Sequence, residues 1–125
     1  MRIGADYYPE HWEKERWKTD AEMMVKANIK VIRIGEFAWS LYEPEEGKYE
    51  FDWMDEALDF FGKYGIKVVM CTPSATPPKW MIDKYPDILQ NDIHGNPKLF
   101  GTRKHYCFNS ETYVSLIHIS EPTRH

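Results

Sequence analysis

Hydrophobic and polar residues alternate in blocks along the first part of the chain and predict strands and helices in turn. β-Branched residues dominate three short segments that we interpret as strands. Between them, hydrophobic residues recur every three or four positions, which predicts amphipathic helices over 13–28 and 53–64. Asn28 and Gly65 suit the left-handed residue that ends a helix, and Asp52 suits the cap that begins the second one. The predicted strands begin near residues 3, 30 and 66.

The order strand, helix, strand, helix, strand predicts a parallel sheet covered by helices. Two α/β folds share this order: a doubly wound sheet and a (β/α)8 barrel. The G-x-G-x-x-G and G-x-x-x-x-G-K-[ST] loops of nucleotide-binding sheets follow none of the three strands. Units of roughly 30 residues match the barrel. The expected fold is therefore a partial (β/α)8 TIM barrel, made of its first three βα units and a long third loop, with an unpaired sheet edge.

The connection after the third strand is long and irregular. Residues 77–84 predict a short helix, which begins with two prolines that a first turn tolerates and which Tyr85-Pro86 ends. Residues 90–97 predict an exposed turn or a small hairpin. Long connections on a barrel usually build its site, so this segment is a candidate for function.

Composition and charge narrow the class of protein. The 125 residues carry 16 Lys and Arg against 20 Asp and Glu, and a net charge of −4 lacks the basic surface of a nucleic-acid-binding protein. No run of about 18 apolar residues predicts a membrane span. Asp6 interrupts any signal-peptide core, so the cytoplasm is the expected location. Aromatic residues reach 15%, enough to fill a large core or to line a site that stacks on sugars.

Arg33 and Glu36 are candidate functional residues at the end of the second predicted strand. Arg33 lies among β-branched residues, where a guanidinium needs an ion pair with a carboxylate such as Asp6 or Glu36. A functional interpretation, compatible with the first, is that Arg33 lies at the carboxyl end of the barrel and contacts substrate or orients a catalytic carboxylate. Glu36 is a candidate acid or nucleophile, but glycoside hydrolysis needs two facing carboxyl groups and the sequence singles out no partner for it. The other glutamates of these loops are interpreted as exposed charges: Glu10, Glu43, Glu45 and Glu46.

The segment 100–110 combines hydrogen-bond donors, aromatic rings and a thiol. A solvated basic turn is the simpler interpretation of Arg103 and the two residues after it. Cys107 alone is more typical of a small buried residue than of a metal ligand. Cys71 is the only other cysteine, and no C-x₂-C or H-x₃-H pair completes a zinc site within this sequence.

Five blocks of the sequence carry a more specific signal. They are YYPEHW at 7–12, RIGEFAWS at 33–40, EPEEGKYEFDW at 43–53, TPSATPPKW at 72–80 and FGTRKHYCFNS at 100–110. In this order and spacing, the blocks resemble the opening of the glycoside hydrolase family 42 β-galactosidases. Any single block is suggestive, whereas the five together are specific, and the resemblance runs from about Met1 to Tyr113.

The resemblance implies a (β/α)8 catalytic domain over 1–113 that removes terminal, non-reducing β-D-galactose with retention of configuration. By position, Arg103 resembles the family arginine that hydrogen-bonds galactose, and Arg33 resembles an arginine near the same pocket. Planar paired donors suit neighbouring hydroxyls. Cys107 resembles the first of four cysteines that bind a structural zinc in many members. Glu36 belongs to the motif but is not one of the two catalytic glutamates. The full-length protein is expected to be a homo-oligomer.

Two departures from the family limit what this chain is expected to do. The family's acid/base glutamate, its nucleophile and the other three zinc cysteines are all expected downstream of Tyr113. Residues 114–125 stop resembling the family, and Pro122 is incompatible with the long helix expected there, so we interpret them as a tail from a truncated or chimeric reading frame. The chain is thus expected to be an N-terminal fragment without hydrolytic activity.

Two other classes of protein share some of these features. A non-catalytic sugar-binding module would use Trp12, Trp39 and Trp80 as stacking platforms. A small flavodoxin-like regulatory domain would need a complete five-stranded sheet, of which three strands are evident.

Overall fold

The computed structural model describes residues 1–101, 103 and 105–120, and it contains the predicted succession of strands and helices. Among the described residues, three strands form one sheet, accompanied by five α-helices and two short 3₁₀ turns. None of these helices is long and apolar enough to cross a membrane. The strands are β1 (Ile3–Asp6), β2 (Ile29–Ile34) and β3 (Lys67–Met70). The helices are α1 (Lys14–Lys26), α2 (Trp39–Tyr42), α3 (Asp52–Lys63), α4 (Lys79–Lys84) and α5 (Glu111–Ser120), with 3₁₀ turns at Pro9–His11 and Pro86–Ile88.

The three strands are parallel and lie in the order β1-β2-β3, as predicted. Asp6 lies opposite Arg33, and Arg33 lies opposite Val69. Because all three carboxyl ends meet at the same edge, the residues that follow the strands are brought together there.

The two faces of the sheet differ sharply. On β2, Ile32 and Ile34 are completely buried, whereas Arg33 between them keeps 44% of its side chain exposed. Helices α1 and α3 cover the buried face, because their apolar stripes pack against these isoleucines. On the other face, Val69 beside Arg33 is half exposed. The main core is completed by a set of helical and loop residues: Tyr7, Trp17, Ala21, Met24, Ala38, Tyr42, Met54, Ala57, Phe61 and Ile66.

A second apolar cluster forms beyond the sheet, where the long third connection folds back on α2. The rings of Tyr106 and Tyr113 stack with their centroids 4.3 Å apart, and the Tyr113 hydroxyl donates to the carbonyl of Ser74 at 2.6 Å. The other buried members are Trp39, Met81, Ile82, Ile88 and Leu116. This cluster holds Tyr106 and helix α5 against the end of the sheet.

Most helix ends follow the predicted signals, and one does not. Asn28 and Gly65 both adopt positive φ, at 61° and 72°, as predicted for residues that end a helix. Asp52 does not cap α3, because Phe51 occupies the cap position and Asp52 is the first helical residue. The negative charge of Asp52 in the first turn still interacts favourably with the positive end of the helix dipole.

Helix α5 crosses the boundary that we placed after Tyr113. It runs to Ser120, and within it Tyr113 and Leu116 are buried. Residues 121–125, including Pro122, lie outside the described residues. The interpretation of 114–125 as a separate tail stays a prediction.

Candidate functional site

Arg33 and Arg103 meet at a single carboxylate, that of Glu36. Arg33 Nη1 donates to Glu36 Oε2 at 2.8 Å, and Arg103 Nη2 donates to Glu36 Oε1 at 2.5 Å. Glu36 is only 7% exposed, while the side chains of Arg33 and Arg103 are 44% and 60% exposed. The predicted ion pair between Arg33 and Glu36 is therefore present, and both arginines present donor groups to solvent at the carboxyl edge of the sheet.

Asp6 adds a second negative charge to this cluster. Its Oδ1 lies 3.7 Å from Arg33 Nη1, across the pairing of β1 with β2. The hydrogen bond that Arg33 donates to Glu36 is the main cause that raises the pKa of Arg33 above its usual value, with a smaller contribution from Asp6. The positive charges of the two arginines are thus balanced by the negative charges of Asp6 and Glu36. Each guanidinium has five N–H groups, more than these contacts use, so donors remain for a ligand.

An aromatic wall stands beside the arginines. The Arg103 guanidinium lies 5.5 Å from the centroid of the Phe37 ring, within the range of a cation–π contact. Tyr8 packs on Phe37 with centroids 5.8 Å apart and stacks on His11 at 5.3 Å. Burial, followed by the negative charges of Glu36 and Asp6, raises the pKa of Tyr8, so its phenol is neutral at physiological pH.

An open cavity adjoins this wall on the side of the third connection. It has a volume of about 340 Å³ and is lined by residues of both loops, among them Phe37, Ser40, Thr76, Lys79 and Phe100. Its size falls at the lower end of the range for small-molecule sites. A polar ligand in this cavity would lie next to the ring that supports Arg103.

Gly35 explains why the chain turns sharply enough to place Glu36 over the sheet. Its φ is +84°, a conformation that residues with a Cβ rarely adopt. A Cβ here would also lie 2.6 Å from the Tyr42 hydroxyl and 3.4 Å from Met54 Cε. The hydroxyl group is the more serious obstacle, because Tyr42 is itself buried in the core.

Replacing Gly35 with alanine is expected to lower the free energy of unfolding by about 2–4 kcal/mol, the combined cost of positive φ and overpacking. Gly47→Ala is the matched control, because Gly47 has φ +80° but nothing within 4 Å of an added Cβ. Urea unfolding followed by tryptophan fluorescence measures both variants. Equal losses of stability in the two would show that the contact with Tyr42 costs nothing.

The predicted stacking tryptophans do not form a platform. Trp39 is 1% exposed and donates its Nε1 to Glu43 Oε2 at 2.8 Å, so it belongs to the core. Trp80 donates its Nε1 to the carbonyl of Glu43, also at 2.8 Å. Trp12 is half exposed, under the Arg16 guanidinium. These contacts remove the feature that favoured a non-catalytic sugar-binding module.

Glu43 is not the exposed loop charge that we expected. It is 4% exposed, and its second oxygen accepts from the backbone N–H of Gly47 at 2.9 Å. A carboxylate with two donors replaces the hydrogen bonds that it would have made with water. Glu43 therefore stabilises the loop after β2, a role that the sequence pattern did not reveal.

Cys107 is a free, partly buried thiol in the third connection. Its backbone N–H donates to the carbonyl of Ile88 at 2.7 Å, which anchors the segment after Arg103. Over 1–101, 103 and 105–120, no group of three or more His, Cys, Asp or Glu side chains is arranged to hold a metal ion. Among the described residues, Cys107 is thus a single predicted zinc ligand without a surrounding site. Zinc binding stays a prediction.

Comparisons with known proteins agree with this architecture. The sequence profile of the glycoside hydrolase family 42 β-galactosidases matches residues 6–121. β-Galactosidase BgaH of Haloferax lucentense is 51% identical over 115 residues, and a β-galactosidase of Thermus thermophilus is 55% identical over 111. These alignments cover 92% and 89% of this chain but only 17% of each relative. The chain thus spans about one sixth of the length of the curated relatives that it matches.

Solved structures give the same result for the fold. A β-galactosidase from the psychrophilic Marinomonas ef1 superimposes with a TM-score of 0.89 at 44% identity, and one from Bacillus circulans with 0.91 at 34%. Each match covers 95% of this chain and 18% of the other. The three βα units are therefore part of a TIM barrel, as predicted. With a profile match over nearly its whole length, the chain belongs to the glycoside hydrolase family 42 β-galactosidases.

Proposed function

We propose that this chain forms part of the galactose-binding wall of a retaining β-galactosidase, with Arg33 and Arg103 as the residues that contact the sugar. The observation that carries the proposal is the convergence of both guanidinium groups on the buried carboxylate of Glu36. Two arginines fixed side by side present planar, paired N–H donors, which suit adjacent sugar hydroxyls.

The position of the pair in the fold supports the same conclusion. Active sites of TIM-barrel enzymes lie at the carboxyl ends of the strands, where Arg33 is the penultimate residue of β2 and Asp6 is the last residue of β1. Phe37 and Tyr8 add apolar ring surface beside the donors. A sugar combines apolar C–H faces with hydroxyl groups, so a wall of rings and arginines matches both.

The substrate class is proposed from the relatives. The proteins of Haloferax lucentense and Thermus thermophilus are named β-galactosidases, and each shares about half of its aligned residues with this chain. We therefore assign β-galactosides as the substrate of the enzyme to which the segment contributes. The homo-oligomeric state and the cytoplasmic location stay predictions.

The chemistry itself would use groups outside this chain. In a retaining glycosidase, one carboxylic acid protonates the glycosidic oxygen while a second carboxylate attacks the anomeric carbon, and water then releases the sugar. The residues described here would hold the galactosyl ring so that its anomeric carbon faces that nucleophile. Restricting the motion of the bound ring is itself a large part of catalysis.

A grafted enzyme tests the proposal. In this graft, the 111 residues that align with the Thermus thermophilus β-galactosidase replace their counterparts in that enzyme. The graft is expected to hydrolyse a nitrophenyl β-galactoside, to prefer it over the matching β-glucoside, and to be inhibited competitively by galactose. The parent enzyme is the control. A soluble graft that melts cooperatively but hydrolyses no β-galactoside would contradict the proposal.

A further inference from the structure

We propose that Glu36 is a positioning residue that holds Arg33 and Arg103 at the sugar site and thereby sets the affinity for the galactosyl ring. The inference rests on the proposed function, since it takes the two arginines as the sugar-binding groups. It adds a residue that touches no substrate and acts through both of them.

The contacts of Glu36 give it this role. Each of its two carboxylate oxygens accepts from a different guanidinium, at 2.8 Å from Arg33 and 2.5 Å from Arg103. Its burial shields these charge-assisted hydrogen bonds from solvent screening. Without the carboxylate, two guanidinium groups would repel one another and would point in the directions that solvation prefers.

Glu36 is also placed rigidly, as a positioning group must be. The turn at Gly35 fixes its backbone, and Ala38 N–H closes that turn on the carbonyl of Gly35 at 3.3 Å. Phe37, the next residue, supports the Arg103 guanidinium from its ring face. Glu36 and Phe37 therefore both contact Arg103, one through its carboxylate and the other through its ring.

The opposite side of the contact is anchored as well. Arg103 lies 67 positions after Glu36, in the third connection, and that connection is tied down by short backbone hydrogen bonds. Gln90 N–H donates to the carbonyl of His105 at 2.8 Å, and Cys107 N–H donates to that of Ile88 at 2.7 Å. Glu36 thus joins two loops that are otherwise held separately, and the geometry of the arginine pair depends on it.

Glu36→Gln in the graft tests the inference, because glutamine keeps the shape but has one acceptor oxygen and no charge. Its amide group would face one guanidinium, donor against donor. We expect KM for the nitrophenyl β-galactoside to rise and kcat/KM to fall about 10- to 100-fold, the value of one or two charge-assisted hydrogen bonds. A rise in KM of less than about twofold, well below the effect of losing one such hydrogen bond, would overturn the inference.

Glu43→Gln is the matched control, because Glu43 is a buried glutamate of the same loop that bonds Trp39 and Gly47 instead of arginine. This variant is expected to lower the melting temperature and leave KM unchanged. If both variants lowered stability and raised KM alike, Glu36 would be a structural residue only.

A double-mutant cycle with Arg103→Ala adds a readout that a purely structural role would not move. If Glu36 acts through Arg103, Glu36→Gln costs several-fold less kcat/KM once Arg103 is absent. Fully additive losses would overturn the inference. An inactive unsubstituted graft would instead refute the proposed function. In that case, crystal structures of the graft with and without Glu36→Gln would test the role of Glu36. Displaced arginines in the variant would support that role, and unmoved arginines would overturn it.

Discussion

The 125-residue chain, assayed on its own, is expected to hydrolyse a chromogenic β-galactoside no faster than buffer does. Retaining hydrolysis needs two carboxyl groups about 5–5.5 Å apart across the bond, one as an acid and one as a nucleophile. Within the described residues, the carboxylates that contact the candidate site are Asp6 and Glu36. Both carboxylates pair with the guanidinium of Arg33 and do not flank a substrate bond.

Neither of these carboxylates suits either catalytic role. Both carboxylate oxygens of Glu36 accept hydrogen bonds from guanidinium groups, so Glu36 is placed to bind arginine and not to reach a glycosidic oxygen. Its oxygens are also occupied by donors and buried, which makes them poor nucleophiles. Asp6 pairs with the same arginine, since its Oδ1 lies 3.7 Å from Arg33 Nη1.

The assay compares the chain with the graft at equal concentration, in extracts from a host without its own β-galactosidase. The chain is expected to be at least about 10⁵-fold slower, since enzymes of ordinary turnover exceed the uncatalysed reaction by that factor or more. Glu36→Gln serves as the internal control. Turnover above that of buffer that co-purifies with the chain would contradict the prediction, and its loss in this variant would show that the activity depends on Glu36.

Local signals in the sequence were sufficient to predict the sheet and the helices that cover it. β-Branched residues in β2 and the apolar stripes of α1 and α3 satisfy the same geometric rules in isolation as in the fold. The left-handed residues Asn28 and Gly65 were predictable for the same reason, because their conformation depends on adjacent residues.

Features that depend on distant contacts were not predictable. The pairing of Glu36 with Arg103 spans 67 positions, and no periodicity reports it. Trp39 looked like a stacking platform, yet the return of α5 buries it against Tyr113. The four-residue helix α2 is shorter than one apolar repeat, so it left no pattern. The family resemblance alone pointed to Arg103, because a basic turn was otherwise the simpler interpretation.

The second large effect is expected from Arg103→Ala in the graft, which should lower kcat/KM for a β-galactoside by about 10²- to 10³-fold. The variant removes every donor that Arg103 offers to the sugar and leaves Glu36 with a single guanidinium partner. Arg103→Lys should recover part of the loss, because an ammonium keeps the charge on Glu36 but lacks the planar fork for two hydroxyls. The inhibition constant for galactose, measured for each variant, shows how much of the loss is ground-state binding of the sugar.

Arg16→Ala is the control that separates recognition from general effects of deleting an arginine. Arg16 has the same kinds of partners, with Asp20 at 2.9 Å and the Trp12 ring at 5.1 Å, but it lies on α1 away from the carboxyl edge. Its removal should leave kcat/KM within about threefold, as expected for an exposed ion pair. The two arginines match in charge and are similarly exposed, so a large loss at Arg103 alone would come from its place at the site and not from the loss of a surface charge. Equal, small effects in both variants would mean that Arg103 does not bind the sugar.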